Sequence, residues 1–168
     1  GNGIRFGLSA VKNVGRGLIL NLVNERERNG QFKSFSDFID RMACEDMNRR
    51  ALESLIYSGA FDSMGIKRSQ LLAVYERALA GTVRNARENV AGQISLFESA
   101  AEEKSEMEFP DIDEMDVRTK LRHEKESTGM YFTGHPMEEY KDKVKMLSKY
   151  NIGNILESVR KDENGMYH

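Results

Sequence analysis

The chain has 168 residues, 39% of them hydrophobic and 31% charged, a size that suits one modest core or two small helical units and disfavours one large enzyme domain. No apolar run approaches the roughly 20 residues of a membrane span, and the lone Cys44 excludes an internal disulfide and fits a reducing cytosol. The net charge of −2 is uneven, because residues 1–87 hold 14 Lys and Arg against 9 Asp and Glu while residues 88–168 hold 11 against 18, so the front part is better suited to face a polyanion.

The first predicted element is a helical hairpin over residues 8–23. Its apolar residues recur at helical spacing on both sides of Gly15-Arg16-Gly17, and they are Leu8, Val11, Val14, Leu18, Ile19 and Leu22. This pattern predicts a helix, a tight turn and a second helix. Asn29-Gly30 is the predicted end of the second helix, because glycine adopts the left-handed cap conformation without a side-chain clash.

Two short helices are predicted next, each with a polar cap. Ser34 or Ser36 can cap a helix that runs through Ala43, and Asn48 can cap the helix that follows. The sequence Ser58-Gly59-Ala60-Phe61 breaks this second helix. Their candidate core residues are Phe35, Phe38, Ile39, Met42, Leu52, Leu55 and Ile56.

A turn-prone link over residues 62–66 leads to the longest predicted helix, which runs toward Arg87. Its apolar positions are Leu71, Leu72, Val74, Tyr75, Ala78 and Leu79. Residues 98–116 then hold nine acidic residues and one lysine, a composition that predicts a flexible linker because it cannot bury enough apolar area to offset its ordering entropy.

The chain after this linker is predicted to be helical again over residues 117–126 and 138–147. Between these helices, His135 precedes a proline and is therefore expected to be extended. Asn164-Gly165 indicates a hairpin turn near the end of the sequence. The predicted fold is all-α, with domains at residues 1–90, 91–116 and 117–168.

Val14-Gly15-Arg16-Gly17 has the apolar-Gly-x-Gly pattern of a helix-hairpin-helix element. Its glycines let the backbone turn tightly and approach a phosphate, while free amides at the next helix N-terminus donate to the phosphate oxygens. Arg16 and Lys12 would add positive charge. Such contacts carry no sequence preference. The alternative is an ordinary helical hairpin whose glycines only permit packing.

The second hairpin-like unit, around Gly59, lacks a second glycine and is either a phosphate binder or a structural partner of the first. Four basic residues near it are candidates for contact with the DNA backbone, although each can equally be a solvated surface charge. They are Arg49, Arg50, Lys67 and Arg68.

The segment Gln93-Ile94-Ser95-Leu96-Phe97 matches the Gln-x-x-Leu-Phe peptide that bacterial proteins present to the sliding clamp. Gln93 offers an amide, while Leu96 and Phe97 can fill an apolar pocket and contribute about 3 to 6 kcal/mol before ordering costs. In the alternative, Leu96 and Phe97 pack on the core of this chain.

Several blocks of the sequence, taken in order and spacing, resemble the bacterial DNA polymerase III alpha subunit. They are Ile4-Arg5-Phe6-Gly7-Leu8, the run from Asn48-Arg49-Arg50 to Ala60-Phe61-Asp62, Gly92-Gln93 through Phe97, and His123-Glu124-Lys125-Glu126 through Gly134-His135-Pro136. The resemblance covers nearly the whole chain. It implies a tandem helix-hairpin-helix region after the fingers domain, an internal clamp-binding peptide, and a helical segment that leads toward an oligonucleotide-binding (OB) barrel beyond residue 168.

The resemblance also implies what lies elsewhere. The Mg²⁺-binding aspartates of nucleotidyl transfer belong to the palm of the parent enzyme, upstream of residue 1, so no catalytic residue and no cofactor is expected in this segment. Gly1-Asn2-Gly3 has no initiator methionine and no signal peptide, which agrees with a sequence that begins within a longer protein. The implied partners are duplex DNA, the beta sliding clamp and other replicase subunits, in the cytoplasmic, nucleoid-associated replisome.

Two other functions are compatible with the sequence. One is a purely structural connector between the fingers and the OB barrel, and the other is a free-standing DNA-repair accessory with helix-hairpin-helix elements. A metal site is not predicted, because the histidines and the cysteine lack the close paired spacing of structural zinc ligands.

Overall fold

The computed structural model describes residues 6–42, 47–90, 107–147 and 152–158. Within these ranges the chain is helical and has no β-strand, which confirms the predicted all-α class. The α-helices are α1 Arg16–Asn29, α2 Phe35–Arg41, α3 Arg49–Tyr57, α4 Arg68–Val90, α5 Val117–Thr128, α6 Lys141–Leu147 and α7 Ile152–Ser158, and 3₁₀ turns occupy Leu8–Ala10, Asp62–Met64 and Glu138–Tyr140.

The predicted helix ends are set by local capping. Ser34 Oγ accepts a hydrogen bond from Asp37 N at 3.1 Å, so Ser34 rather than Ser36 caps α2. Asn48 Oδ1 accepts from Ala51 N at 3.0 Å and caps α3 as predicted. Gly30 ends α1 with a φ of 79°, and its amide donates to Arg26 O at 2.9 Å.

Two predicted helices of the first unit are shorter than expected. The helix expected before the turn at Gly15 is reduced, in the described residues, to the 3₁₀ turn Leu8–Ala10. The left-handed backbone of Asn13, with φ 63°, cannot continue a right-handed helix into α1. The helix α2 ends at Arg41, ahead of the predicted Ala43.

The chain divides into two compact units, Gly1–Thr133 and Gly134–His168. The first unit contains the hydrophobic core, whose buried side chains come from α1 to α4, from Met42 after α2, from Met47 before α3 and from Phe61 in the turn after α3. Phe61 meets Phe35 and Phe38 edge-on, with ring centroids 5.2 and 4.9 Å apart, which suits the charge distribution of aromatic rings. The second unit contains α6 and α7.

The segment 107–116 corrects the prediction of a flexible linker, which is wrong for these residues. Phe109 packs on the core, and Gln70 Nε2 donates to Pro110 O at 2.8 Å. Glu114 accepts from the amides of Arg68 and Ser69 at 3.0 and 3.1 Å and so caps α4 from a distant part of the sequence. Burial raises the pKa of Glu114, but these amide donors outweigh it and hold the pKa below its ordinary value.

The composition of this segment predicted a flexible linker because composition gives the number of charges but not the groups that they contact. Its carbonyls and carboxylate complement the amide-rich N-terminus of α4, and that complementarity is visible only once the two segments meet in space. Across the described part of the chain, no helix is both long and apolar enough to cross a membrane.

Candidate functional site

The turn at Gly15-Arg16-Gly17, called the hairpin turn below, opens α1 at the surface. Gly15 is the N-cap residue, and as a glycine it has no side chain that could accept a hydrogen bond from the first turn of α1. All three residues of the hairpin turn are exposed. Because the first-turn amides of a helix have no intrahelical acceptor, those of α1 are available to an anion from outside.

The conformation of Gly15 is one that other residues adopt. Its φ is −72°, and no described atom lies within 4 Å of a Cβ built at this position. Neither backbone strain nor internal packing therefore requires glycine here. A missing side chain beside free amides leaves room for the atoms of a partner to approach the backbone.

One predicted cation lies within the hairpin turn and another lies shortly before it, both on the surface. Lys12 and Arg16 are both exposed, and Val14 packs against the core from a half-buried position. Sequence reasoning missed the residue between them, Asn13, whose positive φ shapes the turn. Its identity was the available signal, since asparagine is enriched in the left-handed region.

The first turn of α3 carries two more of the predicted cations. Arg50 is exposed. Arg49 is also exposed, but its Nη2 lies 2.5 Å from Glu76 Oε1 and its Nε donates to Tyr75 Oη at 3.3 Å. The hydrogen bond to Tyr75 and the charge of Glu76 raise the pKa of Arg49. Arg50 is thus better placed than Arg49 to meet a phosphate.

The surroundings of Arg68 contradict its prediction as a DNA contact. Its side chain is 2% exposed, Nη1 donates to Glu124 Oε1 at 3.0 Å, and Nη2 donates to Asp62 Oδ2 at 2.6 Å. The prediction that Arg68 contacts phosphate is wrong, because its guanidinium is buried and bound to two carboxylates. Hydrogen bonding to these carboxylates outweighs burial, which alone would lower the pKa, so the pKa of Arg68 is raised.

Gly59 and Lys67 both contact other residues of the first unit. Gly59 has a φ of 78°, and a Cβ there would collide with the Arg68 guanidinium and with Asp62. Lys67 Nζ donates to Ile112 O at 2.9 Å. Packing therefore accounts for Gly59, as in the structural alternative considered for the second hairpin-like unit, whereas the side chain of Lys67 is 42% exposed and remains a predicted DNA contact.

Glu124, which sequence reasoning did not single out, is the centre of this buried group. Its Oε2 accepts from the amides of Phe132 and Thr133 at 2.7 and 3.1 Å, while Oε1 accepts from Arg68. Burial raises the pKa of Glu124, but the two amides and the guanidinium outweigh it, so the pKa lies below its ordinary value. No local pattern could have revealed this role, because Arg68 lies 56 residues away in sequence.

The predicted clamp-binding residues Gln93, Ile94, Ser95, Leu96 and Phe97 lie outside the described residues. In the part of the chain that the structure does describe, no three His, Cys, Asp or Glu side chains form a group that could hold a metal ion.

Comparison with known proteins connects the hairpin turn to a recognised motif. Residues 1–71 match the family model described as a helix-hairpin-helix motif. Relatives named DNA polymerase III subunit alpha match over most of this chain. The relative from Thermus aquaticus is 43% identical over 83% of this chain and 11% of its own length. The relative from Deinococcus radiodurans is 39% identical over 83% of this chain and 11% of its own length.

A third relative of the same name, from Xylella fastidiosa, is 35% identical over 86% of this chain and 12% of its own length. The chain therefore spans about a tenth of the length of the curated relatives that it matches.

Proposed function

Because the chain belongs to the family of DNA polymerase III alpha subunits, of which it spans one segment, we propose that it binds duplex DNA through the sugar-phosphate backbone at the hairpin turn. First-turn amides of α1 donate to phosphate oxygens, and Lys12 and Arg16 supply positive charge beside them. These groups reach no base edge, so binding has no sequence preference.

The observation that carries this proposal is the exposed, uncapped start of α1 at a glycine that the fold itself does not require. The match of residues 1–71 to the helix-hairpin-helix model supports it independently. The rival reading, a purely structural connector, accounts well for Gly59 and Arg68 but leaves Gly15 without a role.

A salt titration of duplex binding tests the charge part of the proposal. The affinity of the chain is expected to fall linearly with the logarithm of salt concentration, and Arg16→Ala is expected to reduce that slope by about 0.9 for one lost phosphate contact. Duplexes of unrelated sequence are expected to bind equally. A chain that does not bind duplex even at low salt contradicts the proposal.

The amide part is tested by Gly15→Ala. The added methyl has room within the fold, so the thermal midpoint is expected to fall only by the modest cost of alanine at an N-cap. Duplex binding is expected to weaken, because the methyl obstructs the approach of the phosphate. Gly81→Ala in α4 is the matched control, since a Cβ at Gly81 also meets no described atom within 4 Å. Equal affinity of both variants and the parent would count against amide contacts.

We also propose that the segment docks on the beta sliding clamp through Gln93, Leu96 and Phe97, so that the chain is tethered to a ring around the same duplex. The support is the Gln-x-x-Leu-Phe sequence together with the family to which the chain belongs. A tether raises the local concentration of the DNA-binding unit, so that release of one contact is followed by rebinding. Processive DNA replication by the parent polymerase, with nucleotidyl transfer and its Mg²⁺ in the palm, is the process that we propose this segment serves.

A clamp pull-down tests the tether. Replacing both Leu96 and Phe97 by alanine is expected to abolish capture, because the two side chains supply the apolar contact. The matched control replaces both Glu102 and Lys104, which lie outside the motif, by alanine and is expected to retain capture. Capture of the Leu96 and Phe97 variant at the parental level would defeat the assignment.

A further inference from the structure

The turn that precedes α1 is fixed at two points by residues from distant helices. The amide of Lys12 donates to Ser127 O in α5 at 2.7 Å. Asn13 Nδ2 donates to Ser54 Oγ in α3 at 3.0 Å. Both serines are 6% exposed, so these acceptors belong to buried residues of the first unit.

The position of α5 is itself set by contacts with α3 and α4. Glu124 pairs with Arg68 of α4, and the rings of His123 and Tyr57 stack with centroids 4.0 Å apart and planes at 8°. Ser127 therefore presents its carbonyl to Lys12 from a helix that α3 and α4 hold in place. These residues of α5 lie beyond the 1–71 range of the helix-hairpin-helix match.

We infer that Ser54 and the last turn of α5 are positioning elements for the hairpin turn, which fix the residues 12–13 and with them the direction of the first-turn amides of α1. The inference rests on the proposed function and adds α3 and α5 to it. A turn that is held before the duplex arrives loses less conformational entropy on binding, and its amides are already aimed at one place.

The Asn13–Ser54 hydrogen bond is the contact to test, because each partner can be removed separately. Ser54→Ala removes the acceptor, and Asn13→Gly removes the donor while tolerating the φ of 63°. Each change is expected to weaken duplex binding by the 168-residue chain about three- to tenfold. The double variant is expected to be no weaker than either single variant, because all of them lack the same bond.

The salt slope separates positioning from direct contact. Neither Ser54→Ala nor Asn13→Gly removes a cation, so the slope is expected to stay at the parental value, whereas Arg16→Ala lowers it. Ser54→Thr keeps a hydroxyl and is expected to retain most of the affinity. Ser58→Ala is the matched control, since the Ser58 hydroxyl donates to Leu55 O within the end of α3 and not to the hairpin turn.

The outcomes distinguish this inference from the function on which it rests. If Arg16→Ala weakens binding and lowers the slope while Ser54→Ala and Asn13→Gly bind like the parent, the positioning role is overturned and DNA binding stands. Fully additive losses in the double variant would also overturn it, because the two residues would then act separately. If the parent chain does not bind duplex, the proposed function fails and the inference fails with it.

Discussion

Arg68 and Glu124 form an ion pair between α4 and α5 in which both side chains are buried. Replacing Arg68 by alanine leaves Glu124 with an uncompensated charge, and the free energy of unfolding is expected to fall by about 3–5 kcal/mol. Denaturant unfolding measures this loss. Arg50→Ala is the control at an exposed arginine, and it is expected to change the free energy by no more than about 0.5 kcal/mol. Equal effects of the two substitutions would refute the structural role of Arg68.

Because the pKa of Glu124 is lowered, its contribution to the stability of the fold is lost in acid. Its pKa in the folded chain lies below the ordinary value of 4.5, so between the two values the unfolded chain binds more protons. The stability from Glu124 is therefore complete above the unfolded pKa and is lost as the pH falls through the folded pKa. Other carboxyls with lowered pKa, such as that of Glu114, add to this trend.

Comparing the parent with the Glu124→Gln variant isolates the contribution of Glu124 to the pH dependence of stability. The parent is expected to be more stable than the variant at neutral pH, and this difference is expected to shrink as the pH falls below 4.5. Urea unfolding of both chains across the acid range gives the measurement. A difference that stays constant down to the acid end would show that the Glu124 charge contributes nothing to stability.

At the scale of the elements, the turn between α3 and α4 contains two glycines in the left-handed region. A Cβ at Gly59 would collide with Arg68 and Asp62, whereas a Cβ at Gly65 would meet no described atom within 4 Å. Gly65→Ala is expected to cost about 1–2 kcal/mol for backbone strain alone. Gly59→Ala is expected to cost about 1–3 kcal/mol more, because it also displaces the guanidinium. Thermal or denaturant unfolding of the pair tests this, and equal losses would mean that the crowding is relieved without cost.

Local features of the elements were predictable from the sequence, and long-range contacts were not. The caps at Ser34, Asn48 and Gly30 were predictable because each acts within about four residues of its own position. The role of Arg68 was not, because its partner Glu124 comes 56 residues later. From the sequence alone, a basic residue at a turn is interpreted as a surface charge, because the distant carboxylate that pairs with it is not evident. The hairpin turn itself was predictable as a motif, but its anchors on Ser54 and Ser127 were not.

At the scale of the whole molecule, the helix-hairpin-helix match ends at residue 71 while the first compact unit continues to Thr133. Residues 107–133 cap α4 through Glu114, neutralise Arg68 through Glu124 and hold Lys12 through Ser127. The matched region therefore depends on a part of the chain that its motif does not include. The acidic character of the later residues is, in these contacts, part of what stabilises the basic front.

Two shortened chains test this dependence. A chain of residues 1–133 is expected to unfold cooperatively, whereas a chain of residues 1–106 is expected to be less stable by at least about 3–5 kcal/mol, because Arg68 then lacks Glu124. A peptide of residues 107–133 added to the shorter chain is expected to raise its unfolding midpoint with increasing concentration, since a partner that binds only the folded state stabilises it by mass action. The same peptide with Glu124→Gln is expected to raise the unfolding midpoint less at equal concentration. If the shorter chain matches the longer one in stability, residues 107–133 are not part of the folding unit.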